Sequence, residues 1–370
     1  MVEKRAKRRG GEVRYRRPPF LMSYWLGPVL IFENFARRER IAGSAFVSEV
    51  LACCGDGKTL REIEEEFPEQ RGEVRAGIRQ LLKHSLLEIC GHQNQKLERS
   101  WSEWSRWNPA AGYFHLSTKD PKFGVVSEDS VSGLRRIAKV RPLPSRVKQY
   151  AGAPVVALPK GECAGEFARV LEERRTWREF AAKAVPLEKL AQLLWLSFGV
   201  QGWAKIPGVG KLALKTAPSG GAMHPLEAYV MIRHVEGVAA GIYHYGAAEH
   251  RLEVLRKGLR SGEIVKMLGG QRWAGEAAFV VLLTAVFGRT QWKYEHARAY
   301  RVVLAEAGHQ CQTFCLTATW LGLAPFCTMA LADTQIEKAL GIDGLSESVL
   351  YAAGAGVRPA GKATAERWKI

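Results

Sequence analysis

The spacing of apolar positions changes several times along the chain, and each change marks an element. From Pro18 to Phe35 apolar and aromatic residues crowd together, among them Phe20, Trp25, Leu30, Ile31 and Phe32, and strands are expected there. Phe46, Val50 and Leu51 then share a helical face until Gly55-Asp-Gly-Lys58 breaks the period. Thr59-Leu-Arg-Glu62 is a capping-box pattern, in which Thr59 accepts from a free N–H and Glu62 reaches back. It predicts a short helix ending near Pro68. Val74, Ile78, Leu81 and Leu82 recur at helical spacing before Leu86-Leu-Glu-Ile89, which reads as a strand. Helix, short helix, longer helix, strand is the order of a winged helix-turn-helix. Residues 92–160 show no sustained period. Trp101, Trp104 and Trp107 stand three apart there and are expected to pack against another surface, a subunit interface. Arg141–Ser145 and Pro154–Pro159 read as an extended linker.

The last two-thirds alternate helical and strand patterns. Pro186 opens an amphipathic helix through Trp195. Thr216-Ala-Pro-Ser-Gly-Gly-Ala-Met-His-Pro225 is a small, glycine-bearing loop feeding a strand that includes Tyr229, Val230, Met231 and Ile232. Such a loop exposes backbone N–H groups and admits a flat or anionic ligand. Ala277–Phe287 is a continuous apolar run, so a strand covered on both faces is expected. A long helix carries Ala305, Gly308, Cys311, Cys315 and Ala318, and Ser348–Ala353 reads as a final strand.

Composition narrows the class. With 370 residues and 47% hydrophobic content, the chain is globular and long enough for two domains. No apolar run approaches the ~20 residues of a membrane span, and no secretory signal is read at the start. The seven cysteines form no CxxC pair, so neither a disulfide framework nor a metal site is expected, and a cytoplasmic location is. The net charge of +17 is concentrated at the front, at Lys4, Arg5, Lys7, Arg8, Arg9, Arg14, Arg16 and Arg17, which reads as a mobile tail. Arg174, Arg175 and Arg178 surround Thr176; guanidinium groups suit phosphate and electron-rich ring edges.

Taken in order, Arg-Arg-Thr-Trp-Arg178, the Pro186-Leu-Glu-Lys-Leu helix, Ala217-Pro-Ser-Gly-Gly-Ala-Met-His-Pro-Leu-Glu227, Gly241-Ile-Tyr-His-Tyr245, Trp292-Lys-Tyr294 and Gly308-His309 closely resemble the SagB-type (ThcOx-like) dehydrogenases. These are nitroreductase-like flavoenzymes from the biosynthesis of thiazole- and oxazole-modified ribosomal peptides. The resemblance covers about residues 165–359. It implies an α+β nitroreductase-like fold with a mixed central sheet flanked by helices, a homodimer, and FMN held between subunits. Carried onto this chain, Arg174, Arg175, Thr176 and Arg178 hold phosphate, ribityl chain and ring. Pro218, Ser219 and Gly220 lie beside the isoalloxazine, with Met223 and His224 completing the loop. Ala324, Pro325 and Phe326 bring backbone to the flavin, and Arg358 reaches the phosphate. Lys293 and Tyr294 match the catalytic Lys-Tyr pair of azoline dehydrogenases. Two positions depart from the family: Glu295 replaces a frequent glycine, and Gln312-Thr313 a frequent Gln-Asn.

Removing two hydrogens from an azoline requires a hydride acceptor and a base. Lysine and tyrosine both have reference pKa values of about 10. Burial lowers a lysine and a neighbouring ammonium favours tyrosinate, so the pair acts where neither does alone. The expected organisation is a basic tail at 1–17, a winged-helix-like peptide- or partner-binding domain at 18–100, a linker and interface segment at 101–160 and an FMN domain at 161–370. The winged helix is compatible with leader-peptide binding, a YcaO-type cyclodehydratase partner, DNA binding or a purely structural role; its longer helix carries few residues that read base edges, which makes nucleic acid the less expected partner. Three other functions fit parts of the pattern: an NAD(P)H-dependent nitroreductase or quinone reductase on small molecules, dehydrogenation of a non-azoline site in a peptide, and a non-enzymatic scaffold.

Overall fold

The computed structural model describes residues 12–91, 95–121, 130–141, 144–145, 147–148, 154, 156–158 and 164–361. The chain divides into two compact units, Met1–Lys119 and Asp120–Ile370.

In the first unit β1 (Arg14–Arg16) is followed by a meander of β2 (Leu21–Leu26), β3 (Val29–Asn34) and β4 (Glu39–Gly43). Then come α1 (Ala45–Cys53), β5 (Lys58–Thr59), α2 (Leu60–Glu66), α3 (Arg71–Lys83) and β6 (Glu88–Ile89). β1 pairs antiparallel with both β5 and β6. Val50, Leu51, Ile63, Val74, Ile78, Leu81, Leu86 and Leu87 form one core under these elements, which is why the helical spacing was legible. The capping box is formed: the Glu62 N–H donates to Thr59 Oγ1 at 3.2 Å, and the Thr59 N–H to Glu62 Oε2 at 2.6 Å. Thr59 is buried, so Thr59→Ala is expected to lower the stability of this unit by about 1 kcal/mol, read by urea denaturation.

Three expectations need correction here. The tail does not extend to residue 17: Arg14 and Arg16 lie in β1, where Arg14 pairs with Glu62 and Arg16 with Glu88 and Glu98. Lys4, Arg5, Lys7, Arg8 and Arg9 lie outside the described residues. The region from 95 to 117 is helical, with α4 (Gln95–Glu103), a 3₁₀ turn at Trp104–Trp107 and α5 (Pro109–Ser117). Its tryptophans pack within their own unit. Trp101 rests on Phe20 and Phe35, while the buried Trp104 meets Trp107 edge-on at 5.4 Å and stacks on His115 at 5.0 Å. Aromatic spacing marked a packed face, but the partner is intrachain. The expected linker, after α6 (Ser130–Val140), falls largely outside the described residues.

The second unit continues with α7 (Glu166–Glu173), α8 (Leu187–Phe198), the hairpin β7 (Gly202–Ile206) and β8 (Gly210–Leu214), then β9 (Leu226–Ile232), β10 (Gly241–Gly246), β11 (Arg251–Lys257) and α9 (Ser261–Met267). β12 (Phe279–Val286) runs into α10 (Phe287–Lys293), and α11 (Arg298–Trp320), β13 (Leu323–Thr328), α12 (Asp333–Leu340) and β14 (Glu347–Val357) complete it. The main sheet has the order β11-β10-β9-β12-β14-β13. It was expected to be mixed; its six described strands are antiparallel throughout, because short turns join β9 to β10 and β10 to β11. Along β12, Phe279, Val281 and Leu283 face a core with α8 and α11, and Val280 and Leu282 face a core with α9 and α12. Both faces are covered, which explains the unbroken apolar run. β14 extends past the expected Ala353 because Gly354 and Gly356 leave room for rings. A Cβ at Gly354 would lie 2.4 Å from Phe326 Cζ, and one at Gly356 2.7 Å from Phe180 Cδ1. Among the described residues no helix is long and apolar enough to cross a membrane, and no cluster fit for a metal occurs.

Candidate functional site

The structure gathers the candidate residues into two sets. The first lies on the loop entering β9. Thr216 Oγ1 donates to the Leu196 carbonyl at 2.6 Å, and the His224 N–H donates to Ser219 Oγ at 2.9 Å. The Gly220 N–H donates to Glu306 Oε1 at 2.8 Å. Glu306 projects from α11 and is 3% exposed; burial raises its pKa, and the Gly220 N–H and Ser219 hydroxyl offset part of this. Gly221, Ala222 and His224 have φ of 65°, 57° and 42°. For the two non-glycine residues that left-handed geometry costs on the order of 1–2 kcal/mol each, a strain found where a site dictates backbone shape.

Lys293 and Tyr294 converge on this loop. A Cβ built on Gly221 would lie 2.5 Å from Lys293 Nζ and 2.7 Å from Tyr294 Oη. Lys293 Nζ is 3.4 Å from the Gly221 carbonyl oxygen and 5.5 Å from the centroid of the Tyr294 ring. The pair sits at the end of the short α10, not at the start of the long helix. Sequence reasoning named Pro218, Ser219, Gly220, Met223 and His224, but missed Gly221 and Glu306. The signal for Glu306 was a carboxylate on the apolar face of α11, beside Ala307 and Val303.

The second set lies along β13. After α7 ends, the Trp177 N–H donates to the Pro325 carbonyl at 2.9 Å, laying Arg174–Arg178 beside Ala324, Pro325 and Phe326. The side chains of Arg174 and Arg178 make no hydrogen bond or ion pair to any described residue, and Arg178 covers the Trp273 ring at 5.7 Å. Arg358 is engaged structurally: its Nε donates to the Leu323 carbonyl and its NH2 to the Thr319 carbonyl, both at 2.9 Å, capping α11. It also covers the Trp177 ring at 5.9 Å, so it belongs to the same set.

Strand register separates the two sets. Phe326 pairs with Gly354, Gly354 with Val280, and Val280 with Met231 near the end of β9. The loop meets β9 at Leu226, opposite Ala285. The two sets thus sit toward opposite ends of the central strands, about 17 Å apart along β9.

A charged network adjoins the first set. Glu227 pairs with Arg289 and with His244 Nε2 at 3.3 Å, while His244 Nδ1 lies 2.9 Å from Glu253. Arg289 NH1 also donates to the His224 carbonyl at 3.0 Å. The bond to Glu227 and then that to Glu253 raise the His244 pKa against the effect of burial. Burial opposes Glu227's charge, but His244 and Arg289 hold its carboxyl below the usual range. The stabilisation from His244 is fully present below its unfolded pKa of about 6.5 and is lost as pH rises through the raised folded value. The fall in thermal midpoint on His244→Gln is therefore expected to be larger in mildly acidic than in alkaline buffer. His224 behaves oppositely: burial and then Lys215 push its pKa down to about 4, so its ring is neutral at pH 7.

Comparison with known proteins gives the family. Residues 171–357 match the Nitroreductase family. A protein of Methanocaldococcus jannaschii named as a nitroreductase, MJ1384, is 32% identical, covering 47% of this chain and 83% of that protein. The trifolitoxin-processing protein TfxB of Rhizobium leguminosarum is 31% identical over 39% of each chain. The microcin B17-processing protein McbC of Escherichia coli is 28% identical over 34% of this chain and 48% of its own. The chain thus spans less than half the length of either processing protein in these matches. On the family match and its extent, the chain belongs to the nitroreductase family.

Proposed function

We propose that the protein is an FMN-dependent dehydrogenase that oxidises thiazoline or oxazoline rings in a ribosomally made peptide to azoles. The observation that carries this reading is the convergence of Lys293 Nζ and Tyr294 Oη on Gly221, at the loop expected beside the flavin ring. Its similarity to TfxB and McbC, both named for processing peptide products, supports a peptide substrate.

The residues suit FMN. Arg174 and Arg178 are guanidiniums with no ion pair to a described residue, as a phosphate site requires, and Thr176 between them supplies a hydroxyl. The absence of a Cβ at Gly221 lets Lys293 and Tyr294 reach this loop. FMN supplies the hydride acceptor when bound. The loop Pro218–Gly220 orients the ring, and Glu306 fixes the loop's shape from below. Lys293 and Tyr294 take the proton that leaves as the hydride departs, sharing it at one site. Since the arginine set and the loop set lie toward opposite ends of the sheet, each chain carries two half-sites, and a homodimer joins the arginine half of one protomer to the loop half of its partner. The first unit, read as a winged helix, binds the leader region of the precursor peptide or a YcaO-type cyclodehydratase. Incubating the protein with an azoline-bearing peptide should remove two hydrogens per ring by intact mass; no mass change with any azoline substrate counts against the reading.

A second reading, NAD(P)H-dependent reduction of a nitro compound or quinone, is favoured by the similarity to MJ1384 over most of that protein's length.

A further inference from the structure

A cavity of about 650 Å³ opens beside the loop, walled by the β7–β8 hairpin, β10 and α10. It adjoins the Lys293–Tyr294 end of the site, because Met223, His224 and Trp292 line it. Leu212, Ala213, Met223 and Ala247 make much of its wall apolar. Glu227, Arg289 and His244 are committed to one another. Lys215 is not. It lines the cavity, is half-buried, and makes no hydrogen bond or ion pair to any described residue. Burial lowers its pKa, opposed by Glu227 and, more weakly, Glu306, with Arg289 adding to the fall. The neighbouring His224 ring, 8% exposed, is held by the Ala213 backbone. An ammonium without a hydrogen-bonded partner against largely apolar walls is poorly accounted for by the chain alone.

We propose that this cavity is a binding site for a carboxylate, that of an acidic side chain close to the reacting ring of the peptide, held by Lys215. The substrate assignment rests on the dehydrogenase reading; the carboxylate site does not. Lys215 forms the ion pair. The apolar walls take the side chain's methylenes.

Calorimetric titration of the full chain with phenylacetate and with phenylacetamide tests the site without flavin or turnover. The acid should bind about tenfold more tightly than the amide. Lys215→Met should erase that preference and Lys215→Arg retain it. Equal binding of acid and amide, or an undiminished preference in Lys215→Met, overturns the site. With FMN-loaded protein, an azoline peptide carrying Asp beside the ring should show a lower KM than its Asn counterpart, and Lys215→Met should abolish the difference with kcat unchanged. Equal KM values alongside a positive titration overturn the assignment to the peptide alone. Failure of every azoline to react, alongside a positive titration, places the error in the dehydrogenase reading.

Discussion

Replacing Lys293 by Met should lower turnover of an azoline peptide by about 10²–10⁴-fold, the usual contribution of a positioned proton acceptor, with flavin content and thermal midpoint unchanged. Lys293 is exposed at the end of α10, where among the described residues it meets the Gly221 carbonyl at 3.4 Å and the Tyr294 ring at 5.5 Å. Little folding energy depends on it. Tyr294→Phe should cost a similar factor, since it removes the hydroxyl that meets the same spot. The double variant should lose scarcely more than either single one, because groups sharing one proton act as a unit. Steady-state kinetics with a flavin-content assay checks all three. Full activity in Lys293→Met would remove the pair from the chemistry.

Gly221→Ala should reduce activity nearly as far, by a different route. At φ 65° an added methyl strains the backbone by on the order of 1–2 kcal/mol, and its Cβ would sit within 2.7 Å of both Lys293 Nζ and Tyr294 Oη. The ammonium is the far end of a flexible chain and swings aside at low cost, so stability falls only by the backbone strain. Activity falls because the pair is displaced from its position. Gly237→Ala is the control: φ is 69° there, and nothing lies within 4 Å of an added Cβ. It should lower the thermal midpoint comparably, by a few degrees, and leave turnover intact. Equal activity in the two variants would mean that the Lys293–Tyr294 geometry does not matter.

Elements whose pattern is local were readable before the structure. The capping box at Thr59, the helical face of Val74, Ile78 and Leu81, and the apolar run of β12 each depend on neighbours in sequence. The loop 216–225 and the Lys293–Tyr294 pair were found through motif order. Long-range contacts were not legible. Nothing in the spacing of Trp101, Trp104 and Trp107 says that Phe20, Phe35 and His115 meet them. Gly221 gains its meaning only when α10 folds back onto it, and Glu306 only when α11 passes under Gly220. Arg14 and Arg16 read as tail because β1 is three residues long and its partners lie more than forty residues away. The separation of the two residue sets toward opposite ends of the sheet follows from strand register, which short-range periodicity does not encode.

The most direct measurement is anaerobic mixing of the FMN-loaded protein with an azoline peptide while the visible flavin band is followed. Electrons should pass from peptide to flavin, bleaching the band by one flavin equivalent per ring oxidised in the parent protein and not in Lys293→Met. A band that the peptide leaves untouched while NADPH bleaches it at once would contradict the account and identify a reductase of small molecules.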